Sequence, residues 1–141
     1  LIGKLQTNKV KFAIKIFDYI HSVDTIKLAK KISDEQIKQN KKVKIFIQVN
    51  IGSEEQKSGV DIDKTEELLN FCKELKLDVI GLMCIPPANQ KSNEYFKKMK
   101  VLNNNFNLQQ ISMGMSSDYL EAVANDATYL RLGSSIFGKR Y

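Results

Sequence analysis

An α/β fold with a parallel sheet is predicted by three features of this 141-residue sequence. Short apolar runs alternate with longer segments whose apolar residues recur at helical spacing. The clearest run, Val43 to Ile51, carries Val43, Ile45, Phe46, Ile47, Val49 and Ile51, and a nearly continuous apolar strand is one buried on both faces, as in a parallel sheet. The runs end in small or polar residues, where turns begin. An open doubly wound sheet and a β/α barrel both satisfy this pattern.

In chain order, Leu1 to Gln6 reads as the end of a strand, and the polar Thr7-Asn8-Lys9 and a short segment, Val10 to Lys15, follow it. Phe17 to Asp24 fits a strand and its exit loop. Thr25 to Gln39 is an amphipathic helix on Ile26, Leu28, Ala29, Ile32 and Ile37, with Asp24 or Thr25 able to cap it. After the Val43–Ile51 strand and the loop Gly52 to Gly59, Asp63 to Lys76 forms a helical face from Leu68, Leu69, Cys72 and Leu75. Val79 to Ile85 is a strand stopped by Pro86-Pro87. Ser92 to Phe106 is the third long helix, Gln110 to Met115 a strand, and Tyr119 to Asn125 one more helix. Tyr129 to Gly138 reads as a last buried strand running into a small-residue loop, with Arg131 set among Leu130, Leu132, Ile136 and Phe137.

Composition bounds the function. The net charge of +6 raises nucleic acid as a partner, but the lysines are dispersed among acidic residues. Their densest group, Lys38, Lys41, Lys42 and Lys44, sits at a helix end without interleaved aromatics, so a solvated face is expected and no nucleic-acid partner. No run approaches the roughly 20 apolar residues of a membrane span, and no signal-peptide pattern is present, so no membrane partner and a cytoplasmic location are expected. Cys72 and Cys84 are isolated in apolar patterns and read as buried thiols; with His21 the one histidine, no metal site is expected. The chain opens at Leu1, without methionine, inside an apolar stretch, and is expected to be an N-terminally shortened fragment.

In either architecture ligand groups gather at the C-terminal ends of strands. That rule selects Gln6 to Lys9, His21 to Asp24, Asn50 to Ser53, Pro86, Gly114 to Ser117 and Gly133 to Ser135. Arg131 needs a fixed acceptor if it is buried, and has a plainer alternative in reaching a surface carboxylate. Gly133-Ser134-Ser135 offers backbone N–H groups and hydroxyls suited to a phosphate. Ser112-Met113-Gly114-Met115-Ser116 offers a second such loop after the preceding strand, and loops after the seventh and eighth strands of a β/α barrel form a recurrent phosphate cradle. Gly133 to Lys139 also fits seven positions of a P-loop, but the eighth is Arg140 instead of Ser or Thr and too little chain follows for its helix. His21 reads as structural, Asp24 as a helix cap and Lys57-Ser58-Gly59 as loop chemistry, which leaves no catalytic set.

The segments together resemble the pyridoxal phosphate homeostasis protein family, the YggS/PROSC group. The matching stretches are Ile2 to Lys9, His21-Ser22-Val23-Asp24, Gln48-Val49-Asn50, Lys57-Ser58-Gly59, Gly81 to Pro86, Ser112 to Asp118 and Arg131 to Gly138. The resemblance implies an incomplete β/α (TIM-type) barrel of the alanine racemase N-terminal type, covering roughly strand 3 to strand 8. Residues 1–141 would be the C-terminal part of a single barrel domain that binds pyridoxal 5′-phosphate. It implies that Arg131 addresses the pyridine nitrogen, with phosphate contact as the alternative, and that Gly133, Ser134, Ser112, Gly114, Met115 and Ser116 hold the phosphate.

The implied role is cofactor homeostasis, by buffering or delivery to pyridoxal-phosphate-dependent apoenzymes, as a monomer and without turnover. The alternative is an amino-acid enzyme of the racemase type. The family's cofactor-bonding lysine ends the first strand and so has no counterpart here, and Lys9 and Lys57 match other positions. Covalent binding is therefore not expected, and open strand edges are.

Overall fold

The computed structural model describes residues 1–55, 58–88 and 90–138. Lys57, and Lys139 and Arg140 of the P-loop match, lie outside the described residues. Among the described residues five strands form one sheet: β1 (Tyr19–Val23), β2 (Lys44–Gln48), β3 (Asp78–Met83), β4 (Gln110–Met115) and β5 (Tyr129–Arg131). They lie side by side in chain order, and every neighbouring pair is parallel. A doubly wound sheet reverses its strand order at a switch point; a strictly sequential order is that of a barrel wall.

The wall is curled. Tyr19 on β1 and Tyr129 on β5 bring their ring centroids within 5.7 Å, whereas four strand spacings would hold them about 19 Å apart in a flat sheet. Phe46 fills the space between, 5.1 Å from Tyr129 and stacked on His21 at 4.3 Å. The convex face carries Ile20, Ile45, Ile47, Leu82, Cys84, Ile111 and Met113, all in one apolar core with the helices. These are α1 (Val10–Ile16), α2 (Ile26–Gln39), α3 (Thr65–Glu74), α4 (Ser92–Asn105), α5 (Tyr119–Ala124) and the single turn α6 (Ser134–Phe137). None is long and apolar enough to cross a membrane.

Local chemistry explains most boundaries. Thr25 Oγ1 accepts from Leu28 N–H at 3.1 Å and caps α2, while Asn40 ends it in the left-handed region at φ 49°. Asp24, an expected capping candidate, instead accepts the Gly59 N–H at 3.1 Å and ties the loop after β1 to the loop after β2. Three of the four lysines in the basic cluster at the end of α2 have partners: Lys38 and Lys41 reach Glu35 and Asp18 at 3.9 and 3.3 Å, and Lys44 lies over the Tyr19 ring. Both thiols, Cys72 and Cys84, are fully buried, and burial pushes each up to about 12.

Two expectations are corrected, and one segment without an assignment proves to be a helix. Of Leu1 to Gln6, only Leu1 makes ladder bonds, donating to the Tyr19 carbonyl at 2.6 Å and accepting from His21 N–H at 2.9 Å. Those are the two bonds of a parallel bridge, but Gly3, Lys4 and Gln6 are exposed and the chain then turns. Val10 to Lys15 is helical, burying Val10, Ala13 and Ile14 at the i, i+3, i+4 spacing of one face. The last strand stops at Arg131. Ser134 to Phe137 turn into α6, whose N–H groups at Ile136 and Phe137 bond the Gly133 carbonyl, leaving Ile136 and Phe137 exposed instead of packed around the arginine.

Gly81 sits where β3 passes β4, paired with Gln110. A Cβ there would run into the Gln110 carbonyl and meet Phe46 at 3.0 Å, so backbone itself would have to shift. Gly81→Ala is expected to lower stability by about 2–3 kcal/mol, measured as a fall in the urea midpoint.

Candidate functional site

The site lies at the C-terminal ends of β3, β4 and β5, and two β-bulges help to shape it. Between Ser112 and Met115 the register slips, so that β4 spends three steps where β5 spends two. Gly114 lies in that slip at φ 97°, and a Cβ on it would fall 2.6 Å from the Ala122 Cβ. A similar slip between Ile20 and Val23 puts His21 and Ser22 against a single residue of β2, Phe46. Ser22 Oγ is buried there without a hydrogen-bond partner among the described residues.

Arg131 is 6% exposed. Its Nη1 donates to Ser112 Oγ at 2.7 Å and its Nη2 donates to the Cys84 carbonyl at 2.7 Å, so the guanidinium is held by β3 and β4 at once. No carboxylate among the described residues lies within ion-pair distance of it. Burial lowers its pKa, partly offset by Cys84 and Asp118, yet a guanidinium stays charged. The sequence left Arg131 either a surface carboxylate or a fixed buried acceptor, and the structure has the second. Five N–H donors and two bonded acceptors leave donor capacity for another acceptor.

Ser116 joins the two loops. Its Oγ accepts from the N–H groups of Gly133 and Ser135, both at 3.2 Å, with the Ser135 hydroxyl 3.1 Å away. Two backbone donors from the loop after β5 therefore converge on one oxygen from the loop after β4. Asp118 braces the same loop, taking the Met115 N–H at 2.7 Å and the Ser92 hydroxyl at 2.9 Å.

The expected residues thus fall into two groups. Arg131 and Ser112 lie together in the interior, with Ser112 fully buried. Ser116 and Gly133 lie together at the mouth, with Ser134 and Met115 on its exposed side. The Met115 N–H, expected to face a ligand, is taken by Asp118. Ser135, the Cys84 carbonyl and His21 belong to the same constellation: the strand-end rule selected Ser135 and His21, His21 then reading as structural, and the Cys84 carbonyl was not expected. Ser135 was visible as part of Gly-Ser-Ser, whereas a carbonyl carries no sequence signal.

The sequence profile of the family described as "Alanine racemase, N-terminal domain" matches residues 1–141. The chain belongs to this alanine racemase N-terminal domain family. Curated relatives are pyridoxal phosphate homeostasis proteins: that of Aquifex aeolicus is 39% identical over 99% of this chain and 65% of its own length. That of Escherichia coli K12 is 31% identical over 99% of the chain and 63% of its own length. The chain therefore spans slightly under two thirds of the curated relatives it matches. PipY of Synechococcus elongatus, solved with pyridoxal phosphate bound, superposes with a TM-score of 0.90 at 32% identity, covering 98% of this chain and 69% of PipY. An alanine racemase of Clostridium difficile superposes at 0.69 with 18% identity over 98% of this chain and 38% of its own, which shows the shared fold, a partial TIM-type barrel.

His21 is the titrating group of the interior. Its pKa is lowered to about 4, first by burial and also by the positive charge of Arg131. Between pH 6.5 and 4 the unfolded chain binds this proton and the folded one does not, so the stability is complete above about 6.5 and is lost as pH falls toward 4. The loss is expected to reach about 2–3 kcal/mol by pH 4.5, read as the wild-type minus His21→Phe difference in urea midpoints at pH 7 and pH 4.5.

Proposed function

We propose that this chain is the C-terminal part of a single β/α barrel domain that binds pyridoxal 5′-phosphate and serves in the homeostasis of that cofactor, by buffering it or delivering it to apoenzymes, as a cytoplasmic monomer. The observation that carries the reading is a buried guanidinium with no carboxylate partner among the described residues, set beside two loops, one of which aims two N–H groups at an oxygen of the other. The cofactor has complementary chemistry: an aromatic ring with an acceptor nitrogen at one end and a phosphate at the other. Arg131 would take the nitrogen through its remaining donors. Gly133, Ser134 and Ser116 would take the phosphate through N–H and hydroxyl groups, with Gly114 and Met115 shaping the loop and Ser112 orienting Arg131 from behind.

Bound pyridoxal phosphate supplies an electron-withdrawing ring, which stabilises carbanions best when its nitrogen is protonated. A guanidinium can only donate, so beside that nitrogen Arg131 opposes protonation. That favours holding the cofactor over turning over amino acids. The names of the curated relatives, homeostasis proteins, support the same reading.

The test is equilibrium binding of pyridoxal 5′-phosphate followed by transfer to an apo-aminotransferase. One equivalent is expected to bind and to be released to the apoenzyme, with affinity falling about tenfold or more in Arg131→Ala and in Ser116→Asp. Absence of binding by the folded protein overturns the proposal. Steady conversion of L-alanine to D-alanine, lost in Arg131→Ala, replaces the carrier with an enzyme.

A further inference from the structure

His21 is the one histidine of the sequence, and the function proposed above gives it no task. Its ring stacks on Phe46 at 4.3 Å and meets the Tyr129 ring edge-on at 5.6 Å. Its Nδ1 lies 2.8 Å from Ser112 Oγ, the same oxygen that accepts from Arg131 Nη1 at 2.7 Å. The three side chains come from β1, β4 and β5 and form one hydrogen-bonded row across the concave face.

Proton counting fixes the direction of that row. A serine hydroxyl has one proton and two lone pairs, and a guanidinium never accepts. If Nδ1 carried a proton, Ser112 would accept from both sides. Its own proton would then point into fully buried space where its only hydrogen-bond partners among the described residues are the two donors already counted. The Ser112 proton, Nδ1 and the Nη1 donor are all paired only when Ser112 donates to Nδ1, which makes the imidazole neutral with its proton on Nε2. The charged group facing the ring is Arg131 on β5, which is positive and favours the same neutral form.

We infer that His21 is a positioning residue for Arg131: by accepting the Ser112 proton at Nδ1, it keeps the Ser112 lone pairs turned to Nη1 and so holds the guanidinium's open donors in one orientation for the acceptor atom of the ligand. Tyr129 and Phe46 hold the imidazole plane in turn. The inference deepens the cofactor reading and rests on it for the identity of that acceptor, a ring nitrogen. It predicts that losing the histidine's acceptor weakens recognition of the ring and spares recognition of the phosphate.

Two measurements test it. In 15N-histidine NMR of the folded chain the single imidazole is expected to show an unprotonated Nδ1 and a protonated Nε2 from pH 8 to pH 5. A protonated Nδ1, or titration near pH 6.5, overturns the inference whatever the ligand is. The second uses 4-deoxypyridoxine 5′-phosphate, which lacks the aldehyde that reacts with surface lysines. His21→Phe keeps the aromatic stack and removes the acceptor, and should bind this analogue about tenfold more weakly. His21→Asn returns an acceptor close to the Nδ1 position and should recover to within about threefold of wild type. Inorganic phosphate should bind all three equally, with folding checked by thermal melts. Unchanged analogue binding by His21→Phe, or a parallel fall in phosphate affinity, overturns the positioning role. If the wild type fails to bind the analogue, the cofactor reading falls, and the imidazole tautomer still decides whether His21 orients Ser112.

Discussion

The interior is organised by the need to bury one positive charge with no negative one beside it among the described residues. Arg131 solves this with neutral acceptors from two different strands, the Ser112 hydroxyl on β4 and the Cys84 carbonyl just past β3. A charge inside a protein is costly unless fixed dipoles replace the lost water. Here the dipoles can be fixed only if β3, β4 and β5 keep their register to within a fraction of an ångström. The bulge at Gly114 belongs to that requirement, since it sets the offset between Ser112 and Arg131. The site therefore depends on the barrel wall, and the wall at this end is shaped around the site.

At the other end of the concave face, aromatic packing takes over. Tyr19, His21, Phe46 and Tyr129 meet ring to ring, filling a space that a barrel interior would otherwise leave to stacked aliphatic layers. Aromatic contacts contribute beyond their buried area and favour defined ring angles. The cluster thus curls the sheet and also immobilises the imidazole next to Ser112. Fold and site share these atoms.

The parallel sheet was legible because Val43 to Ile51 is apolar on both faces, and α2, α3 and α4 because their periodicity runs over several turns. The single turn α6 was not legible: four residues cannot show a period, and Ile136 and Phe137 look like strand residues until their exposure is known. α1 was missed although Val10, Ala13 and Ile14 do stand at helical spacing, because seven residues are little to read a period from. Of the site, Arg131 and the two small-residue loops were legible as residue types out of place in a plain strand and turn. The pairing of Ser112 with the arginine and of Ser116 with Gly133 was not, because it depends on a one-residue bulge that strand patterns do not encode. Residue chemistry marked the participants; register assigned their partners.

The Ser116 hydroxyl has a consequence for how the two loops hold each other. Two backbone donors aimed at a common point require an acceptor there. Here a neutral oxygen on a rotatable side chain already occupies that point, at 3.2 Å from both donors. The phosphate of the proposed ligand would have to displace that oxygen, exchanging one set of hydrogen bonds for a stronger, charge-assisted set. The loops after β4 and β5 are thus tethered through the Ser116 side chain, and whatever enters between them competes with it.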